Sequence, residues 1–303
     1  MAEPVVVGGA TFGTAAGTAA GTDAATARGR RSRRPNNYLL VGGALVALLA
    51  LVSVLAPLLA PADPNALGSG APLLALGAPD HLLGTDKLGR DQLSRLLYGG
   101  RITLIAGFSA AILSAVFGVL LGMVAGFLRG PVDSVIMRVL DVLMSFPFIL
   151  LAILIVAFAG PSVFHALLAI AIANVPFLAR VIRGETLRVR EYEFVVAATA
   201  LGASRTWILL RHVLPNVLPL VLSVLFVNVG WMISQTSALS FLGLGAQPPT
   251  ADWGTMLAEA QSYMSLNGGV AMMPGLMILL AVVGFNLFGL GLKQVLLPDG
   301  GAR

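Results

Sequence analysis

The chain has 303 residues, of which 57% are hydrophobic and 11% charged, with a formal net charge of +5 and no cysteine. A soluble domain carries about 25% charged residues, so this composition, with a mean hydropathy of +0.90, places the chain in a membrane. The missing cysteines exclude a disulfide framework, thiol catalysis and cysteine-held metal. The positive balance, which would suggest nucleic acid in a soluble protein, here reflects topology, because cytoplasmic loops collect Lys and Arg.

Residues 1–27 are rich in Ala, Gly and Thr without an apolar period and read as disordered. Five arginines between Arg28 and Arg34 precede the first apolar run. They read as a topology anchor at the cytoplasmic face, with a nucleic-acid or lipid-binding tail as the other reading.

A spanning helix needs roughly 20 apolar residues. Six uncharged runs qualify: 38–60, 102–128, 142–160, 161–179, 213–251 and 260–292. The first ends near Ala60-Pro61-Ala62, which resembles a signal cleavage site, but 23 residues exceed the 7–15 of a signal h-region, so it is expected to stay as a span. Runs three and four meet at Gly160-Pro161, a turn signal that predicts a helical hairpin. Run five is too long for one helix, and Gly243, Gly245, Pro248 and Pro249 mark its last third as loop. Pro147 and Pro176 are expected to kink spans three and four.

Six spans with a cytoplasmic N-terminus place five basic residues inside in 1–37, two in 129–138, six in 180–212 and two after span six. Only Lys87, Arg90, Arg95 and Arg101 fall outside. The split of 15 to 4 favours this orientation, with both termini cytoplasmic, in a cell membrane.

Residues 81–104 have a helical period, with Asp91 and Arg95 four apart and placed to pair. The segment predicts an amphipathic helix on the outer face, either an interfacial anchor or a seat for an external protein or gate. Trp253 is expected at the membrane interface. The loop around it reads equally as a plug or as a plain hairpin connection. Polar atoms in the spans are few. Asn228 and Gln235 are the candidates for a pathway, although such groups more often bond between helices. Gly118, Gly122 and Gly126, spaced by four, allow close helix packing, expected against a second chain. The chain has no GxxxxGK[ST] phosphate cradle and neither an HExxH nor a Ser-His-Asp signature. It is therefore not expected to hydrolyse ATP, bind metal or act as an enzyme.

The cytoplasmic segment 180–212 carries the main signal. Its residues 185–201 suit a helix, Gly202 suits a left-handed stop, and Ser204 suits the cap of a second short helix over 205–212. Ala197, Ala198 and Ala200 let another surface approach the backbone, and Trp207, Ile208 and Leu209 offer apolar contact. Small residues give little lipid-binding area and suit docking in a protein groove.

This stretch resembles the "EAA" loop of ABC-importer permeases: Val196-Ala197-Ala198, then Gly202, then a basic and aliphatic run to Leu214-Pro215. The family's glutamate position holds Val196 here, with Glu193 one turn earlier. Residues 81–104 and 238–257 are similar to outer segments of the second permease subunit of dipeptide, oligopeptide and nickel importers. The resemblance covers residues 36–299 and implies an all-α, six-span permease. Its parts are a tail (1–35), a first span (36–61), an outer loop (62–101) and a five-helix core (102–299), with a coupling loop at 180–212 and an outer loop at 238–260. It implies ATPase coupling through Glu193, Ala197, Ala198, Gly202, Ala203, Arg205, Leu214 and Pro215. It further implies an outer gate or binding-protein face at Gly84, Asp86, Gly89, Arg90, Asp91, Gly243, Gly245, Pro248, Pro249 and Trp253. The implied partners are a sibling permease in a heterodimer, two ATP-binding subunits carrying ATP and Mg, a substrate-binding protein and membrane lipid, with no nucleic acid. Import of di- or oligopeptides is the expected function. Nickel or another solute by the same mechanism, a secondary transporter, and a membrane scaffold are the alternatives.

Overall fold

The structure, a computed structural model, describes residues 36–297. The readings made above for the Arg28–Arg34 anchor and the extreme C-terminus lie outside the described residues. The elements are α1 (Asn37–Val54), α2 (Ala56–Leu59), α3 (Gln92–Leu128), α4 (Gly130–Met144), α5 (Phe148–Ala159), α6 (Val163–Arg190), α7 (Glu193–Ala200), α8 (Arg205–Ile208), α9 (Leu214–Phe241), α10 (Trp253–Ala260) and α11 (Gly268–Leu296). A π-turn, Leu209–Val213, joins α8 to α9 and makes Arg205–Phe241 one rod of 37 residues. At 1.5 Å per residue the rod is about 55 Å long, well beyond a hydrocarbon core of about 30 Å.

Among the described residues five helices are long and apolar enough to cross a membrane, or six if the bent pair α4–α5 is one span. The third expected span, 142–160, is corrected by this bend. Residues 142–144 end α4, and α5 starts at Phe148 after an 85° change of direction. Pro147 causes it: the ring removes an N–H and forces the preceding residue out of the helical region. Residues 129–138, expected as a connection, are the start of α4. Pro176 sits inside a helix that continues through it. The hairpin at Gly160 forms as expected, with φ +91° between α5 and α6.

Hydrocarbon gives helices no hydrophobic reason to associate, so close van der Waals contact must do it. The seam between α3 and α6 shows how. A Cβ on Gly118 would meet Leu178 Cβ at 2.6 Å, one on Gly122 the Ala179 carbonyl at 2.5 Å, and one on Gly126 the Arg183 carbonyl at 2.9 Å. The expectation that these glycines face a second chain is therefore corrected: they seat α6 of the same chain. Asn174 Nδ2 donates to Ser114 Oγ across this seam at 3.2 Å. Further along α3, Gly107 faces Ile233 of α9, and α1 is tied to α11 by Asn36 Nδ2 donating to the Gly291 carbonyl at 2.7 Å. The centre of the bundle is filled by Ala110, Ala111, Ala169, Ile170, Met232 and Ile233.

The helical period expected from residue 81 begins only at Gln92, where Asp91 caps α3 by accepting the Ser94 N–H at 2.8 Å. Residues 60–91 are a turn-rich coil.

The seam makes a matched test. Gly122→Ala should lower the thermal unfolding midpoint of the detergent-purified chain, by the equivalent of about 1–3 kcal/mol expected for overpacking. Gly184→Ala, in the partner helix α6 but with open space around it, should leave the midpoint unchanged or raise it, by up to about 1 kcal/mol.

Candidate functional site

Two clusters of side chains lie at opposite ends of α3. One is the elbow between α6 and α9. Helix α6 ends at Arg190 and Tyr192 turns the chain into α7 with ψ 142°. Glu193 lies in the first turn of α7, where a carboxylate complements the helix dipole. At the other end Gly202 takes φ +80°. Its N–H donates to the Thr199 carbonyl at 3.0 Å, and the Ala203 N–H reaches back to the Ala198 carbonyl at 3.1 Å. These two bonds are a Schellman stop, which only a residue tolerant of positive φ closes without strain. Ser204 Oγ then accepts the Trp207 N–H at 3.3 Å and starts α8. The segment expected as one helix over 185–201 is thus split: its first part belongs to α6, and only Glu193–Ala200 is the elbow helix. Pro215, which cannot donate inside the rod, follows directly on the π-turn, and Asn216 Nδ2 donates to the His212 carbonyl at 2.6 Å.

The inner side of the elbow is packed. Val195, Ile208, Val213 and Val217 are buried against Met123 and Phe127 of α3 and Ile182 and Val189 of α6, with Ala198, Ala203 and Leu214 at the margin. Its outer side is bare. Glu193, Val196, Ala197 and Ala200 are exposed at helical spacing, and Leu201 is 88% and Trp207 49% exposed. Arg205 and Pro215 are exposed as well. Phe194, tilted, and Trp207, edge-on, both pack against His212, with ring centroids 5.7 and 4.9 Å away, which stiffens the exposed face.

At the other end, the coil before α3 is held by buried charge. His81 Nδ1 lies 2.8 Å from Asp91 Oδ1 and Nε2 lies 3.3 Å from the Ser69 carbonyl. Both ring nitrogens face acceptors, so the imidazolium is the form that satisfies them. The Asp91 bond raises the His81 pKa above its ordinary 6.5, against the opposing effect of burial, and the Ser69 bond and the nearby Asp80 add to the rise. Asp86 accepts the Arg90 N–H at 3.1 Å and Arg90 Nε at 2.6 Å. Arg90 and Arg95, both at most 3% exposed, reach Glu259 Oε2 at 2.7 and 3.0 Å. The expected pair between Asp91 and Arg95 is therefore not made: Asp91 is taken by His81 and the helix cap, and Arg95 turns to Glu259. Gly84 and Gly89 have φ +73° and +69° where the coil crosses its own backbone near Leu74 and Gly70. Tyr263 is buried beside this network, and burial, with Asp86 and Glu259 adding to it, pushes its pKa up to about 12.

Trp253 is 1% exposed, which corrects its expected place in an interfacial belt. Its indole donates to the Leu96 carbonyl at 2.9 Å and its N–H to Thr103 Oγ1 at 3.1 Å. The loop holding Gly243, Gly245 and the cis Pro248-Pro249 bond folds back so that α10 sits on α3 and α9. Asp252 caps α10 by accepting the Gly254 and Thr255 N–H groups; burial raises its pKa and those bonds oppose the rise. Asn228 is buried in α9 and Gln235, seven residues on, is half-buried on the same stripe.

Sequence reading missed Glu259 as the acid that gathers Arg90 and Arg95. The signal was present: it is the single acidic residue between Asp252 and Asp299. A lone carboxylate in so apolar a stretch calls for a partner.

Glu259→Ala should destabilise the chain by about 3–5 kcal/mol, because it leaves two buried guanidinium groups short of a counterion. Asp141→Ala, which removes an exposed partner from Arg180, should change the thermal midpoint little. The His81 contribution has a defined sign. Its folded pKa is raised, so its stabilisation is complete below pH 6.5 and is lost as the pH rises through the raised value. Amide-exchange protection over residues 81–91, corrected for intrinsic rate, should fall across that window, and His81→Gln should abolish the pH dependence.

Comparison with known proteins gives the architecture its context. Residues 118–299 match the family model described as binding-protein-dependent transport system inner membrane component. The chain is 40% identical over 259 residues to a probable D,D-dipeptide transport system permease protein of Escherichia coli strain K12, covering 86% of this chain and 87% of that protein. It is 39% identical to a dipeptide transport system permease protein of Alkalihalophilus pseudofirmus, with 88% and 87% covered. It is 44% identical over 218 residues to a glutathione transport system permease protein of Pectobacterium atrosepticum, with 72% of each chain covered. Among solved structures, a chain of the inward-facing MetNI methionine ABC transporter shares the fold, with TM-score 0.55, 18% identity, and 67% of this chain and 94% of that chain covered. The chain belongs to the binding-protein-dependent transport system inner membrane components, as a multi-pass permease with the fold of ABC importers.

Proposed function

We propose that this permease imports dipeptides, oligopeptides or glutathione-like peptides, and that separate ATPase subunits, which bind ATP and Mg, drive it through the elbow. The substrate class follows from its relatives, which are named as dipeptide and glutathione permeases. The coupling role rests on one observation. A short helix with a bare outer face, α7, is locked by Gly202 to a rod that runs 37 residues without a break. A push on α7 that the Schellman stop does not absorb must move α9. The inner packing on Met123, Phe127 and Ile182 passes the same push to α3 and α6. Rocking of these helices opens the path alternately to the two sides.

The distribution of Lys and Arg supports placing the elbow and both termini in the cytoplasm. A sibling permease then completes the pathway in a heterodimer, and each permease carries its elbow to one of two ATPase subunits. An external binding protein delivers substrate to the opposite end, where the 81–91 coil and the 242–253 loop form the receiving face. Glu193, Ala197, Ala200 and Arg205 serve as the polar and small-residue docking surface, with Leu201 and Trp207 as its apolar anchors. Asn228 and Gln235 lie on the α9 stripe that lines the path.

The test is the pivot. Any side chain at Gly202 meets a backbone φ of +80°, a strain of about 1–2 kcal/mol. Gly202→Val should abolish peptide uptake by cells and reduce recovery of ATPase subunits with the purified permease, while membrane insertion stays at the wild-type level. Normal uptake would remove the elbow from the mechanism.

A further inference from the structure

Beside α7 runs a groove of about 480 Å³, within the size range of ligand sites. Its walls are apolar: Phe127 and Leu128 end α3, Val195 and Val196 come from α7, and Ile208 from α8. Its charges are of one sign. Arg190 and Arg205 line it, and Arg129 and Arg205 both stand close enough to Arg190 to repel it. Arg190 donates to the Phe127 carbonyl at 2.8 Å and lies over the Phe127 ring at 5.8 Å, which holds the guanidinium against the wall. Among the described residues neither Arg190 nor Arg205 forms an ion pair with a carboxylate, and the nearby Glu191 is bound to Arg129 at 2.9 Å. Two guanidinium groups therefore line an open apolar slot, while the nearby carboxylate of Glu191 is taken by Arg129. This arrangement is a receptor for a negative charge on an apolar support.

We infer that the groove receives a short acidic and apolar segment of the ATPase subunit, whose carboxylate sits between Arg190 and Arg205. Docking is then reciprocal: the elbow enters the ATPase, and the ATPase enters the permease beside the elbow. This rests on the coupling role proposed above. The occupant is assigned to the ATPase because the groove continues the docking face: Val196 and Arg205 belong to both. A protein seated on the exposed face of α7 and on Arg205 therefore lies against residues that also line the groove. The charge supplies the specificity, since an apolar segment without a carboxylate would leave the two guanidinium groups desolvated and unpaired.

Zero-length carbodiimide coupling tests this in the assembled complex. Arg205→Lys keeps the positive charge and adds an amine that couples to any carboxylate in contact. The expected result is a covalent permease–ATPase adduct, mapped by mass spectrometry to an acidic residue flanked by apolar ones. Arg205→Glu should weaken ATPase binding about tenfold or more, with rescue when the mapped acid is changed to Lys. A Leu201→Cys probe carrying a bifunctional crosslinker reports the elbow contact separately. If Leu201→Cys crosslinks to the ATPase and Arg205→Lys does not, the groove inference falls and the coupling reading stands. If neither crosslinks, the coupling reading falls too. If the Arg205→Glu defect appears in nanodiscs containing anionic lipid and vanishes in neutral lipid, the groove holds a lipid headgroup and the inference is overturned.

Discussion

In a hydrocarbon solvent two helices gain nothing by hiding leucines from each other, so rigidity has to come from contact between backbones. The α3–α6 seam supplies it. Three glycines at a spacing of four bring Leu178, Ala179 and Arg183 against the α3 backbone, and the Asn174–Ser114 hydrogen bond fixes the register. Everything with a functional reading is attached to this pair. Helix α3 carries Arg95 of the buried charge network at one end and the wall of the groove at the other. Helix α6 leads straight into the elbow. A looser seam would let α6 slide on α3 and would loosen the elbow that packs against both.

The two ends of the bundle spend their charges differently. Around Asp86 and Glu259 nearly every charge is buried and paired, so the coil, α3 and α10 form one block. At the elbow the charges are exposed, and the bonds that define its shape are backbone bonds of a helix stop. The first arrangement suits a surface that keeps its form while others come and go. The second suits a surface that is completed by another protein. Buried ion pairs resist partial rearrangement because breaking one strands a charge, whereas exposed ones exchange partners at little cost.

Much of this was legible in the residues. The apolar runs gave the spans because a bilayer demands some twenty uncharged residues. Gly202 and Ser204 marked the elbow because a helix stop and a helix cap each have narrow chemical requirements. What escaped depended on long-range placement. The helical period of 81–104 was genuine from Gln92 onward, but the glycines at 84 and 89 and the pull of Asp91 toward His81 kept the earlier residues out of the helix. Trp253 looks like a belt residue in isolation, and only its distant hydrogen bond to the Leu96 carbonyl reveals it as core. The glycine stripe of α3 was rightly read as a packing surface, but a stripe does not say whose helix lies on it. Glu259, the acid that Arg90 and Arg95 share, stands 169 and 164 positions away from them in the chain, beyond any local rule.

The brevity of α5 reaches beyond the protein. Twelve residues make a cylinder of about 18 Å, some 12 Å short of an average hydrocarbon slab, and the right-angled break at Pro147 stops α4 from extending it along the same axis. Where a wall of this length meets lipid, the bilayer must thin to match it, at a fraction of a kcal/mol per ångström. A thin bilayer would meet so short a wall at lower cost than a thick one.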